Sequence, residues 1–222
     1  MRKFIIILSV VFASILVKGQ ENKFSIGIEG TIDFYNYFFK QTSGEQFKAL
    51  PGYNAGYRFQ YNINEKLSLH FGILYSMKEY KKDYIYFIIS GFPPRTTKLK
   101  SYYLNIPFSI GYRVFSRGKL SIYPSVGMIS GIFDESKEMT LFYGYRDEEP
   151  SDYLNQNLSK FLLSAQLDLG FEYMFLKRLF ITIAPYFNYG INKMDNAIMN
   201  SNSISYGGML SINYKFMKKN AL

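Results

Sequence analysis

Beyond residue 20 the chain repeats a two-residue alternation of large apolar and small polar side chains, in eight separate runs. Successive residues of a strand face opposite sides of a sheet, so this period predicts strands with one greasy face and one polar face. No 3.6-residue stripe of useful length competes with it. The first run sets Phe24, Ile26, Ile28, Ile32 and Phe34 against Ser25, Gly27, Glu29, Thr31 and Asp33. The second places Arg58 on the polar side opposite Tyr57 and Phe59, and the fourth runs from Tyr102 to Arg113 with Arg113 polar. The sixth opposes Leu163, Ala165, Leu167, Leu169, Phe171, Tyr173 and Phe175 to Ser164, Gln166, Asp168, Gly170 and Glu172, and the eighth ends with Lys215 on the polar face. Few positions break rank: Leu74, Ile129 and Met209 fall on the polar side, as do Tyr103, Tyr123 and Tyr186. Most runs exceed the ~5–6 residues of a soluble strand and match the ~9–11 that cross a bilayer at a tilt.

The breaks between runs alternate in length. Those at 64–66, 115–119 and 176–178 are short, whereas those near 37–51, 79–98, 132–158 and 193–203 are long. Tight turns at one end and long loops at the other are the signature of an all-β, eight-stranded, antiparallel up-and-down transmembrane β-barrel, with the long loops extracellular. Pro107, Pro124 and Pro185 lie inside runs, and local bulges are expected there because proline supplies no ladder donor.

The same alternation could build a soluble, lipocalin-like barrel with its greasy face inward. Two features decide against that. A water-exposed face would be rich in Lys and Glu, but the polar face is mostly Ser, Asn, Gly and Thr with isolated charges. Eight strands also leave an interior just wide enough for side chains, which about five Phe, Tyr, Ile or Leu per strand would overpack. The large residues therefore face lipid. Within the polar lumen Glu29, Asp33, Asp168 and Glu172 balance Arg58, Lys78, Arg113 and Lys215. A charge network of Glu29, Arg58, Arg113, Asp168, Glu172 and Lys215 is expected, since enclosed charge is costly unless paired. A proton or ion path along the lumen is the alternative use of those residues.

The compartment follows from the first residues. Arg2 and Lys3 precede an apolar run over residues 4–17, and Val17-Lys18-Gly19 offers a cleavage site before Gln20. Residues 1–19 are read as a signal peptide and 20–222 as the barrel domain, the apolar run being short of the ~20 residues of a membrane-spanning helix. The chain has no cysteine, which excludes disulfides, cysteine-ligated metals and a lipidated N-terminus. Without residues 1–19, which hold three of the 26 basic residues, a moderate excess of Lys and Arg over 17 acidic residues remains. In an exported protein this points to anionic lipid or surface glycan rather than nucleic acid, for which no motif speaks. Aromatic residues make up 19%, all Tyr and Phe, as lipid-facing strands with interfacial girdles require.

The stretch Tyr102-Tyr103-Leu104-Asn105-Ile106-Pro107-Phe108, continuing to Gly111-Tyr112-Arg113, resembles the fourth-strand signature of the PorT-like outer-membrane barrel family of Bacteroidota. Tyr123-Pro124 with Gly127, Gly170 with Glu172-Tyr173, Tyr189-Gly190-Ile191 and Tyr214-Lys215-Phe216 extend the likeness over most of the chain. The resemblance implies an eight-stranded barrel of the bacterial outer membrane. Its aromatic-ended last strand is similar to those that barrel-assembly machinery recognises, although residues 217–222 follow it.

Catalytic and cofactor chemistry finds no carrier in the sequence. His70 is the one histidine, it falls on the lumen face, and no hydroxyl or carboxylate is assigned to it as a partner. There is no phosphate loop, dinucleotide fingerprint or histidine pair for a metal, and the acidic stretch from Asp134 to Asp152 matches no cation loop and reads as a solvated surface. No catalytic residue, metal ligand or cofactor is therefore assigned. The most partner-like feature is the long loop 79–98, with Lys81, Lys82, Tyr84, Tyr86, Phe87, Phe92 and Arg95 around an apolar piece. Either its cations meet lipopolysaccharide and its aromatics a protein partner, or strands three and four continue above the membrane as a hairpin. The expected role is structural or surface-interacting, through the extracellular loops. A part in an outer-membrane secretion or transport assembly is second, and a lipid-modifying enzyme third.

Overall fold

The computed structural model describes residues 23–36, 45–84, 95–142, 145–150, 158–194 and 202–216. They form ten strands: β1 (Phe24–Asn36), β2 (Glu45–Asn62), β3 (Leu67–Tyr84), β4 (Arg95–Tyr112), β5 (Phe115–Arg117), β6 (Leu120–Phe142), β7 (Tyr145–Pro150), β8 (Phe161–Met174), β9 (Leu179–Gly190) and β10 (Ile204–Lys215). Eight of them, all but β5 and β7, pair antiparallel with their neighbours in chain order, and β1 pairs with β10 to close the ring. At the closing seam Ser25 lies opposite Lys215 and Asn36 opposite Ile204. Past it, the Phe216 amide donates to the Phe24 carbonyl at 3.0 Å, as in a ladder bond, and the two rings lie 5.7 Å apart.

Closure turns the alternation into an inside and an outside. Ile28 is 68% exposed and its neighbour Glu29 5%; Ile212 is 53% exposed and Asn213 2%. The apolar belt therefore faces outward, and the enclosed side is lined by Ser, Thr, Asn, Gln and a few charges. The out-of-rank residues Leu74, Met209, Tyr103, Tyr123 and Tyr186 are all buried in the interior. Tyr123 and Tyr186 sit directly opposite Gly170 and Gly207 on the adjoining strands. Each ring covers the glycine, so that a Cβ there would strike it. A bulky ring thus fits a narrow lumen because its cross-strand neighbour has no side chain. Gly118, at φ 61°, makes the β5–β6 turn.

Three sequence expectations need correction. Three of the four regions drawn as long loops are partly strand: β2 begins at Glu45, β3 and β4 continue to Tyr84 and from Arg95, and β6 reaches Phe142 before β7 returns beside it. Above the belt both faces of a strand meet water or other loops, so the alternation fades while the ladder persists. The turn 115–119 likewise contains β5, which pairs with the start of β6. No bulge marks Pro107, Pro124 or Pro185. The register runs unshifted through Phe71↔Phe108 and Leu74↔Asn105, and through Asp168↔Tyr186 and Phe171↔Ile183, with bonded pairs omitted only beside Pro107 and Pro185. Pro124 lies between Ser125, paired with β4, and Ile122, paired with β5, where that side of β6 has no ladder to break. The shifts occur at Leu50/Tyr53, which flank Pro51, and at Ser101/Tyr103.

Candidate functional site

The lumen is arranged in tiers. At mid-height, β1 and β2 bring Glu29 and Arg58 together because Glu29 lies opposite Gly56 and Gly27 opposite Arg58, placing the two long side chains on a diagonal. Arg58 Nη1 donates to Glu29 Oε2 at 2.9 Å and also lies 2.8 Å from Met209 Sδ, with both charged side chains buried. Asp168, on β8, is buried across the lumen and contributes to the field at Arg58.

The next tier towards the long loops centres on Asp33. It accepts hydrogen bonds from Tyr35 at 2.7 Å, from Asn54 at 2.7 Å and from the Tyr186 hydroxyl. Asn54 also donates to Thr31 and accepts from Asn105 at 3.3 Å. Lys78 stands 5.3 Å from the Tyr35 ring centroid and 5.4 Å from that of Tyr103. Asp33 was counted among the lumen charges but not placed in the network. Its partners come from residues as far as 153 positions away, which parity identifies as lumenal without giving their height. Above this tier Tyr80, Leu99, Tyr103, Leu158, Leu162 and Met194 form an apolar cluster, against which Tyr35, Ala49 and Phe133 pack.

The lowest tier holds the remaining charges. Arg113 Nη2 is 4.0 Å from Glu172 Oε1, and its Nη1 donates to the Glu65 carbonyl at 2.9 Å. Lys215 acts on Glu172 electrostatically without an ion pair to it. The six residues expected as one network thus divide into a dry group around Arg58 and a wetter one around Arg113. Free space in the mid and upper lumen is ≈ 50 Å³ for the centres of water molecules, enough for only a few waters. The tight-turn mouth, in contrast, widens into an open vestibule of ≈ 680 Å³.

His70 is buried in the lumen, with Nε2 3.0 Å from the Ser68 hydroxyl. That corrects the expectation that no hydroxyl partners it. Ser68 precedes it by two residues on β3, and an i, i+2 pair on one strand face is visible in the sequence. No carboxylate hydrogen-bonds Nδ1, and the charges whose fields reach the ring are the cations Arg58 and Arg113. The pair lacks the acid that would orient a general base.

At the long-loop end, Lys81 and Lys82 are on β3 rather than in a loop, and Tyr84 and Arg95 are the facing last and first residues of β3 and β4. Lys81 pairs with Asp83 at 2.9 Å, Lys98 with Glu79 at 3.6 Å and Lys137 with Glu135 at 3.3 Å. The described part of this region is the hairpin alternative; Tyr86, Phe87 and Phe92 lie outside the described residues. Asp134 accepts a hydrogen bond from Tyr75 at 3.4 Å, and no group of three possible metal ligands occurs among the described residues.

A family model for the outer membrane protein beta-barrel domain matches residues 15–196. No curated protein matches the chain. Among solved structures, Neisserial surface protein A is similar with a TM-score of 0.51 at 14% identity, covering 89% of this chain and 100% of that one. OprG from Pseudomonas aeruginosa matches with a TM-score of 0.49 at 14% identity, covering 90% and 99%. Ail, the attachment invasion locus protein of Yersinia pestis, matches at 0.40 and 14% identity, covering 89% and 100%. At such identity the likeness to the Neisserial protein speaks for the fold.

Proposed function

The chain belongs to the outer membrane protein beta-barrel domain family, and from that premise we propose that it works as a structural, surface-interacting barrel through its long-loop end. The observation that carries this reading is the unequal height of the wall. β2, β3 and β4 have 18 residues each and β6 has 23, whereas β8, β9 and β10 have 14, 12 and 12. At about 3.3 Å per residue and a tilt near 40°, a strand of the longer class spans some 45 Å of height, against an apolar band of about 25 Å. One side of the barrel therefore stands well clear of the membrane as a ridge of paired strands. A filled lumen with room for only a few waters supports a role at the surface over conduction.

The ridge carries Lys81, Lys82, Lys98 and Lys100 among acidic neighbours, with residues 85–94 joining β3 to β4. Its lysines suit the phosphates of lipopolysaccharide, and Tyr84, Tyr86, Phe87, Phe92 and Arg95 are the proposed contacts for a protein partner. The last strand, ending in Tyr214-Lys215-Phe216, supports recognition by barrel-assembly machinery during biogenesis, and residues 1–19 are proposed as the export signal. The Tyr102 to Phe108 stretch supports placement in the PorT-like branch. A non-enzymatic role is favoured because Ser68 and His70 are buried in the lumen with two cations and no orienting acid.

Deleting residues 81–95 and measuring binding to lipopolysaccharide-containing vesicles tests the proposal. The barrel is expected to remain folded by its heat-modifiable migration while vesicle binding falls about tenfold, the loss of ~1.4 kcal/mol that a few phosphate contacts supply. Unchanged binding by a folded deletion variant overturns it.

A further inference from the structure

The tight-turn mouth differs in charge from the rest of the lumen. Lys23, Lys66, Arg113 and Lys215 line its vestibule, and Glu65 is the sole carboxylate among the lining residues. The exposed turns around it add Arg117, Lys119, Lys177 and Arg178. Among the described residues, Lys23, Lys66 and Lys215 form no ion pair. Arg113 is held at both ends of its fork, by the Glu65 carbonyl and by Glu172, while its buried Nε has no hydrogen-bond partner. Exposed Val114 and Phe115 form an apolar lip beside it.

Cations of one sign around a concave, low-dielectric wall repel one another and focus a positive potential into the space they enclose. An anion bound there relieves the repulsion. A guanidinium fixed at the floor with ammonium groups above it suits phosphate, which takes several donors at once. The strand parity that places Glu29, Arg58 and Glu172 in the lumen also turns Lys23, Arg113 and Lys215 inward, so the vestibule lies on the barrel axis and away from the bilayer. With the long loops outward, its mouth opens to the periplasm. We propose that this vestibule binds a soluble phosphate-bearing ligand from the periplasmic side.

The test is calorimetric titration of the full mature barrel, in phosphatidylcholine nanodiscs, with inorganic pyrophosphate. Saturable binding at one site is expected, weakened at least tenfold in Lys66→Gln/Lys215→Gln and unchanged in Lys160→Gln at the other end. Should the first double variant fail to fold, Lys23→Gln alone is expected to weaken binding severalfold. Replacing half the lipid with phosphatidylglycerol should leave the site available; abolished binding there would assign it to a lipid headgroup and overturn the proposal. Absent binding, or equal binding by the folded vestibule variants, also overturns it.

Discussion

Two ion pairs of one geometry show how differently the barrel's regions use charge. Glu29–Arg58 and Lys81–Asp83 both close at 2.9 Å, but the first has side chains 6% and 8% exposed and the second 35% and 39%. The lumen pair is surrounded by protein and cannot be replaced by water if one member is lost. The ridge pair exchanges its partner for solvent at almost no cost. The lesson is that the ring and the ridge are separate designs: an interior specified by enclosed polar contacts, and a surface whose ion pairs stand in water.

The largest test of that contrast is Glu29→Gln, which leaves Arg58 enclosed without its counter-charge. Breaking such a pair costs about 3–5 kcal/mol, and urea unfolding of the refolded barrel should show the midpoint fall accordingly. A smaller change would mean that Asp168 or water takes over the role of Glu29. The next effect comes from packing instead of charge. Gly170→Val drives a side chain into the Tyr123 ring, with an expected loss of about 1–3 kcal/mol in the same assay. The double variant with Tyr123→Ala should recover part of that loss, and no recovery would show that the ring does not fill the space over the glycine. The smallest effect is expected for Lys81→Ala on the ridge, about 0–0.5 kcal/mol. A cost near that of Glu29→Gln would erase the distinction between the regions.

Much of the ring was legible because its outer face must meet hydrocarbon, which imposes period two over every crossing. Ile28 and Glu29, or Ile212 and Asn213, declare their sides from sequence alone. Above the belt β3 carries Glu79, Lys81, Lys82 and Asp83 with only Tyr80 among them, and the pairing with residues 95–100 reveals that this stretch is strand. Height was the other missing coordinate. Parity puts Asp33, Asn54 and Tyr186 in the lumen, but register decides that they meet, and that Tyr123 faces Gly170. At the prolines a missing donor does not force a bulge; a ladder can omit one bonded pair and keep its register. The six lumenal charges share a face by parity, but parity does not say which of them meet, and burial separates Arg58 from Arg113. Ser68 beside His70 could have been found from spacing alone.

The whole assignment of inside and outside is most directly measured on β10. The chain has no native cysteine, so single cysteines at 210–214 can each carry a nitroxide without background. In bilayers, contact with dissolved oxygen should be high at Leu210, Ile212 and Tyr214 and low at Ser211 and Asn213. The opposite alternation, with the polar positions in contact with lipid, would contradict the account.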